Sequence, residues 1–307
     1  MKLTSKLSAQ LLVVFACVFT APLLQADNVN VTVQSVDLTK DIQLRIDGIV
    51  VAKGVLNTPL TPGDEGAAVR MLWHPGKAAF RAGEVVNTTF RTNGSTYWNN
   101  ANIGYHSFAA GFNAQASGAY SVAMGDSSSA TTTNDIALGY HNNVFSGAAI
   151  GSQSSAYYGG YSFGASAYSY SNGVALGYTA SASNTSAALG SNVTASYNST
   201  AIGYYNNASN YSTALGNYTT APGKYSTSMG FSTTAQAYAS TVIGQFNLAQ
   251  GSTTAWVDTD PLFVIGNGPP PPVGTTPVYS NAFVVKKNGD IVIPKRQGDI
   301  LMGEFGN

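Results

Sequence analysis

This sequence has little of the chemistry that enzymes and metal sites require. It contains one cysteine, Cys17, and three histidines, His74, His106 and His141, which are far apart along the chain. Because Cys17 lies in an N-terminal apolar stretch, the rest of the chain has no thiol for a disulfide or a metal. The isolated histidines are typical of turn or solvent-facing positions. Nucleophile-elbow, P-loop and dinucleotide-binding motifs are also missing, so we expect no enzyme, no cofactor and no metal.

Charge is equally sparse. Only 9% of the residues are charged and they balance to zero; between Tyr105 and Gly251 the charged residues are Asp126, Asp135 and Lys224. This segment therefore offers no basic stripe for nucleic acid and no polybasic patch for anionic lipid. Asp126 and Asp135 fall in neighbouring repeats and can approach each other, but we interpret them as solvated turn residues rather than an acid–base pair.

A short sequence motif is repeated through residues 105–251: a small or β-branched residue, Ala, an aliphatic residue and Gly. SVAMG, DIALG, GVALG, STAIG, STALG and STVIG are examples. A period of 12 to 14 residues indicates a repeat architecture. The repeat glycines that close the motif are Gly111, Gly125, Gly139, Gly151, Gly164, Gly177, Gly190, Gly203, Gly216, Gly230 and Gly244.

The repeat predicts strands rather than helices. The fifth residue after each repeat glycine is again small, mostly Ala from Ala116 to Ala249, with Val144 and Ser169 as exceptions. Each period thus holds two brief apolar segments separated by Gly, Ser, Asn and Thr, which oppose helix and favour turns. We predict an all-β fold, a parallel β-roll or solenoid of 12–14-residue coils stacked on one another, with β-hairpin caps at both ends.

In the main strand of each coil, the aliphatic residue before the glycine and the Ala before that point to opposite sides. Both faces of this strand are therefore apolar. We expect one column to line the narrow interior and the other to pack against sister chains in a homotrimer, because an exposed column would be a large apolar stripe. The sequence does not show which column lines the interior and which packs against sister chains. The aliphatic column, called the apolar ladder below, is Met124, Leu138, Ile150, Phe163, Leu176, Leu189, Ile202, Leu215, Met229 and Ile243.

These motifs and their spacing resemble the head repeats of trimeric autotransporter adhesins, the YadA-like left-handed parallel β-roll. The resemblance covers roughly half of the chain. It implies a homotrimeric head outside a bacterial cell that adheres to matrix or other surfaces. The neck, the heptad stalk and the membrane-anchoring C-terminal strands of that family are not recognised in this sequence, so autotransport is not expected.

The N-terminal part reads as an export signal followed by small β segments. Residues 1–26 have Lys2 and Lys6 before an apolar core and predict a signal peptide removed at about Ala26, leaving no membrane span. The alternative is a lipoprotein signal with Cys17 lipidated. Residues 27–56 are predicted to form an N-terminal β segment with a small hairpin, and residues 57–104 a linker and a capping hairpin, in which Pro75-Gly76 suits a type II turn.

Residues 252–307 are predicted to form the C-terminal cap. Pro261 to Gly266 resembles a last, aberrant coil, and Pro269 to Pro272 form an extended linker. Asn288-Gly289 between two apolar runs predicts a hairpin with a type I′ turn. The final segment, 295–307, is expected to be a loop with a possible edge strand.

Two surface features carry the functional expectation. The candidate surface-binding aromatics Tyr140, Tyr178, Tyr204 and Phe231 follow repeat glycines, and more aromatics lie around Tyr157 to Tyr170. They suit stacking on sugars or proteins, or filling of corners and subunit grooves. Thr200, Thr213, Thr227 and Thr241 form a ladder of the kind that could bind ice, but they share a face with the apolar ladder and favour a buried row.

We therefore expect a secreted or cell-surface, non-enzymatic bacterial adhesin-like protein whose partners are an extracellular protein or glycan surface. The alternatives are a free solenoid that binds ice or polysaccharide and a structural fibre or surface-layer component.

Overall fold

The computed structural model describes residues 66–89 and 93–293, which form 23 strands and three 3₁₀ turns. The predicted signal peptide, the segment 27–56 and the tail 295–307 lie outside the described residues. The 3₁₀ turns are Pro75–Lys77, Gly94–Thr96 and Asn100–Asn102. The strands are β1 Ala68–His74, β2 Ala79–Val85, β3 Phe108–Phe112, β4 Gln115–Ala116, β5 Val122–Asp126, β6 Ser129–Ala130, β7 Ile136–Tyr140, β8 Asn143–Ser152, β9 Ser155–Ala165, β10 Tyr168–Tyr170, β11 Val174–Leu176, β12 Ser181–Ser183, β13 Ala187–Ser191, β14 Thr194–Ser196, β15 Thr200–Tyr204, β16 Asn207–Ser209, β17 Thr213–Asn217, β18 Thr220–Ala221, β19 Thr227–Phe231, β20 Thr241–Gln245, β21 Pro261–Asn267, β22 Asn281–Lys286 and β23 Ile291–Val292.

The repeat segment is a parallel β-solenoid, as predicted. Each coil contributes one strand whose C-terminal end lies within one residue of a repeat glycine. These strands pair in parallel and in register, for example Gly190 with Gly203 and Gly203 with Gly216. We call this the glycine row. The short strands that carry the second Ala, such as β12, β14 and β16, pair in the same way and form the second row. In β8 and β9 one continuous strand serves both rows.

The solenoid interior is lined by small side chains from both rows. The Ala that precedes the apolar ladder and the Ala of the second row are fully buried, as at Ala201 and Ala208. Ala249 is an exception to the predicted column: it is only half-buried, since the chain leaves the coil after β20. Where serine replaces alanine, as at Ser162 and Ser169, the two buried hydroxyl groups hydrogen-bond across the interior at 2.7 Å.

The repeat glycines form one corner of the solenoid because no other residue fits there. Gly203 has φ +127, and a Cβ atom on it would lie 1.9 Å from the carbonyl oxygen of Gly216 in the next coil. The other repeat glycines meet their neighbours in the same way, so the backbones of successive coils approach without any side chain between them. The column of glycines is thus dictated by both conformation and close packing.

The solenoid extends one strand beyond the sequence repeats at each end. At the N-terminal end, β2 pairs in parallel with β3, placing Gly83 beside Gly111 although 28 residues separate them. At the C-terminal end, β20 pairs with β21, placing Gly244 beside Gly266. The chain therefore keeps the register of the glycine row across two long loops.

A hairpin of β1 and β2 precedes the first coil. The predicted type II turn at Pro75-Gly76 is wrong: Pro75–Lys77 is a 3₁₀ turn, and Ala78, at φ 49, is the left-handed residue that closes it. Gly76 is not in the left-handed region that a type II turn needs at this position. The loop between the paired residues His74 and Ala79 has four residues, and its left-handed position is Ala78 rather than the glycine.

The first coil encloses a buried guanidinium group. Arg81 occupies the position that Ala takes in later coils and is fully buried. It donates to the carbonyl oxygens of Phe80, Ser107 and Ala116 at 2.7–3.1 Å and to the hydroxyl of Ser107 at 2.8 Å. Burial lowers the pKa of Arg81 to about 10. Its donors join β2, the start of β3 and β4 at the end of the solenoid.

The C-terminal strands β22 and β23 reverse direction and pair antiparallel after β21. The predicted type I′ turn is wrong: Gly289 has φ 91, whereas Asn288 does not adopt the left-handed conformation that such a turn demands. The amide of Lys286 donates to Asp290 at 2.8 Å, and that of Gly289 to Lys286 at 3.0 Å. The loop therefore has three residues, with glycine in the left-handed position.

Candidate surface-binding faces

The apolar ladder lies on the outer side of the glycine row. Its members are half-buried or exposed in the single chain; Met124 is 43% exposed, and Ile202 and Met229 are each 41% exposed. Successive members pair in register, as Leu189 does with Ile202. Since the alanine columns line the interior, the ladder is the column that faces outward.

The predicted threonine ladder lies on this same outer face. Thr200, Thr213, Thr227 and Thr241 pair in register along the last coils and are half-exposed in the single chain. Each serine before them is buried, as Ser199 and Ser212 are. The shared face with the apolar ladder is therefore as predicted, and the threonines are not buried within one chain.

The four candidate aromatics all lie at the glycine corner and are exposed. Tyr140 stacks on His141 with ring centroids 4.1 Å apart, and Tyr178 is 58% exposed. Tyr204 and Phe231 belong to one continuous ridge. The rings of this aromatic ridge contact one another at centroid distances of 4.5–6.5 Å and are Tyr204, Tyr205, Tyr218, Phe231, Phe246 and Tyr279. Tyr204 and Phe231 thus belong to one surface, whereas Tyr140 and Tyr178 lie on other coils, outside the aromatic ridge.

Sequence reasoning missed an aromatic row at the opposite corner. The Tyr211 and Tyr225 rings lie 5.3 Å apart, and the Tyr225 and Tyr238 rings 5.5 Å apart. The Lys224 ammonium lies 5.0 Å from the centre of the Tyr225 ring, within cation–π range. These tyrosines have no fixed offset from the repeat glycines, because the corner varies in length between coils.

The aromatics noted around Tyr157 to Tyr170 belong to a cluster on the outer side of the second row, which sequence reasoning did not recognise as one surface. This cluster, which we call the aromatic platform, consists of Phe145, Tyr157, Tyr158, Tyr168 and Tyr170. The signal that locates it is the strand alternation around the second-row residues Val144, Ala156 and Ser169. These three point inward, so their neighbours must point outward.

The titratable residues of the solenoid are separated rather than brought together. Asp126 lies at the glycine corner, 3.9 Å from His141. Asp135 is fully buried at the other corner, where it accepts hydrogen bonds from the amides of Thr131, Thr132 and Gly147 at 2.7–3.1 Å. The two carboxylates therefore do not form a pair. The prediction of a solvated turn residue is wrong for Asp135, because the corner folds over its carboxylate and satisfies it with backbone amides. His74 contacts Asn100, and His106 stacks on Tyr120.

The described residues bring no three His, Cys, Asp or Glu side chains together as a metal site would require. Within the same residues, no helix has the length and apolar character needed to cross a bilayer.

Comparison with known proteins gives one family. The model of the YadA head domain repeat matches residues 103–128, 116–142, 195–221, 210–233 and 221–247. These ranges leave residues 143–194 between them. Searches of curated proteins and of solved structures return no significant match. The matched ranges coincide with parallel coils described above, and the β-solenoid is consistent with a YadA-like head domain.

Proposed function

We propose that this chain is an adhesin-like head, exported by a bacterium to its surface or surroundings, that assembles as a homotrimer and attaches to an extracellular protein or glycan surface. It acts by binding and not by catalysis. The head-repeat family supports this proposal, since its members are surface adhesins.

The observation that carries the proposal is the exposed apolar ladder. Soluble monomers rarely expose a contiguous apolar patch larger than a few hundred Å². Here an aliphatic column continues along the glycine row from Met124 to Ile243, with Val122, Ile136 and Val174 on the same side. Packing against two sister chains would remove this stripe from water. A threefold assembly would also repeat every surface site three times, so weak contacts would gain avidity.

The decisive experiment is the absolute mass of the secreted protein by light scattering over a dilution series. We expect N-terminal sequencing to show cleavage after Ala26, and the mass to equal three chains. Replacing Ile202 and Leu215 by Glu would put charges on the apolar ladder and should give monomers. The matched control replaces Ser196 and Ser209, on the outer side of the second row, by Glu and should leave the mass unchanged. A compact wild-type monomer would contradict the proposal.

A second candidate function follows from the threonine ladder if the protein is monomeric. Thr200, Thr213, Thr227 and Thr241 would then stand in a flat, regular and half-exposed row suited to ice. Inhibition of ice recrystallisation by the monomer, lost on replacing Thr213 and Thr227 by Lys, would support it. No inhibition would exclude it.

A further inference from the structure

We propose that the aromatic platform, Phe145, Tyr157, Tyr158, Tyr168 and Tyr170, binds an uncharged polysaccharide lying along the solenoid axis. This inference names a ligand class for the proposed adhesive function. The site itself lies on a single chain; only its threefold repetition depends on the proposed homotrimer.

The platform is built by consecutive coils. In the second row Phe145 pairs in register with Tyr157, and Tyr157 with Tyr170, so three rings form one column. Tyr168 occupies the neighbouring outward column, and Tyr158 lies at the corner with φ 52. Centroid distances of 5.6 Å between Phe145 and Tyr158 and 5.0 Å between Tyr158 and Tyr170 join three rings into one group. Tyr157 and Tyr168, 5.9 Å apart, form a pair on the same side of the second row.

Phe145, Tyr157 and Tyr158 lie on two long strands, and the rings remain accessible. Strands β8 and β9 run through the corner without interruption, and the side-chain amide of Asn143 donates to the Tyr157 hydroxyl at 2.9 Å. Tyr158 is 53% exposed and Phe145 44% exposed. Because the platform lies on the second row, it stays open when sister chains cover the apolar ladder on the glycine row.

The surroundings fit an uncharged ligand that is rich in hydroxyl groups. The ring column continues into Thr131 on one side and into Ser183 and Ser196 on the other. In residues 105–251 the only formal charges are Asp126, Asp135 and Lys224, and the nearest in sequence, Asp135, is fully buried. Aromatic faces pack against the C–H faces of pyranose rings, and tyrosine, serine and threonine hydroxyls pair with sugar hydroxyls. A polyanion would find no cation on the platform.

The size of the platform favours a sugar chain over a protein. Aromatic side chains bury about 150–250 Å² each, so five half-exposed rings offer on the order of 400–600 Å². A stable protein interface needs about 800 Å² from each partner. The column spans three coils, roughly 10–15 Å at the usual strand spacing, which suits a few sugar units. The platform also falls in residues 143–194, between the ranges that match the head-repeat family.

The test is affinity electrophoresis of the full secreted protein in gels containing laminarin, dextran, mannan or hydroxyethylcellulose. Dextran sulfate is the charged counterpart of dextran. We expect at least one neutral polysaccharide to retard the protein. Replacing Tyr157 and Tyr170 by Ala should weaken retardation at least tenfold, whereas Phe at both positions should keep most of it. The matched control replaces Tyr197 and Tyr211, exposed tyrosines away from the platform, by Ala and should not change it.

The inference is overturned if no neutral polysaccharide retards the protein, if only dextran sulfate or immobilised gelatin binds it, or if the control weakens binding as much as the platform variant. Unchanged circular dichroism and unchanged mass show that the platform variant is folded. If the protein is a trimer that adheres to surfaces but binds no neutral glycan, this inference is wrong and the proposed function stands. If it is a monomer that binds glycan through Tyr157 and Tyr170, the trimer proposal is wrong and this inference stands.

Discussion

At the scale of the residue, each repeat glycine combines two constraints that can be separated by mutation. In the Gly203→Ala variant, alanine would have to adopt a positive φ, and its Cβ atom would clash with the carbonyl oxygen of Gly216. We therefore expect the free energy of unfolding to fall by at least about 2 kcal/mol. Gly274 also has a positive φ, +83, but open space around it. Gly274→Ala should therefore cost about 1 kcal/mol or less. Thermal unfolding of both variants measures the difference, and equal losses would show that packing at the corner is unimportant.

The buried serine pair in the interior predicts a non-additive result. Ser162 donates to the Ser155 carbonyl at 2.6 Å and shares a 2.7 Å hydrogen bond with Ser169. Ser162→Ala leaves the Ser169 hydroxyl buried without this partner and should cost about 1–3 kcal/mol. The double variant with Ser169→Ala restores the all-alanine interior of neighbouring coils and should cost less than the sum. Additive losses in a double-mutant cycle would contradict this coupling.

At the scale of the element, buried asparagines link one coil to the next. The side-chain amide of Asn206 donates to the carbonyl oxygens of Ile202 and Gly216 at 2.5 and 2.7 Å, and its oxygen accepts from the amide of Thr219 at 2.8 Å. Asn206→Ala should cost about 1–3 kcal/mol, because it leaves buried backbone groups unpaired. Asn207→Ala is the control: Asn207 is exposed, and its loss should change stability by about 0.5 kcal/mol or less.

The repeat spacing predicted the parallel coils because the glycine position is fixed by backbone geometry, which the sequence records directly. It did not distinguish the inner from the outer column, because Ala and Leu are both apolar; the interior admits only the smaller side chain. The end strands around Gly83 and Gly266 were harder to identify, since long loops interrupt the period while the pairing persists. Local turn rules failed at Pro75-Gly76 and at Asn288-Gly289, where loop length decided which residue is left-handed.

The aromatic platform was only partly predictable for a related reason. The sequence shows aromatics around Tyr157 to Tyr170, but the position one residue after each repeat glycine identifies only the ridge containing Tyr204 and Phe231. Tyr157 and Tyr170 are placed instead by alternation within the second row, and two continuous strands bring them beside Phe145. Only the pairing between coils shows that residues this far apart in sequence form one surface.

At the scale of the whole molecule, an alanine-lined interior has consequences for stability. Alanine buries little apolar area, so much of the apolar surface that such a chain can remove from water lies outside, on the apolar ladder. If three chains cover that ladder, folding is coupled to association, and the thermal midpoint must rise with protein concentration. A free solenoid would unfold at a midpoint that does not depend on concentration.

We therefore expect the midpoint of wild-type unfolding, followed by circular dichroism, to increase over a hundredfold range of concentration. The variant with Ile202 and Leu215 replaced by Glu should unfold at a lower temperature that no longer depends on concentration. The variant with Ser196 and Ser209 replaced by Glu adds the same charge to the opposite row and should behave like the wild type. A midpoint that is independent of concentration in the wild type, with equal effects of the two variants, would mean that one chain is stable with its apolar ladder in water.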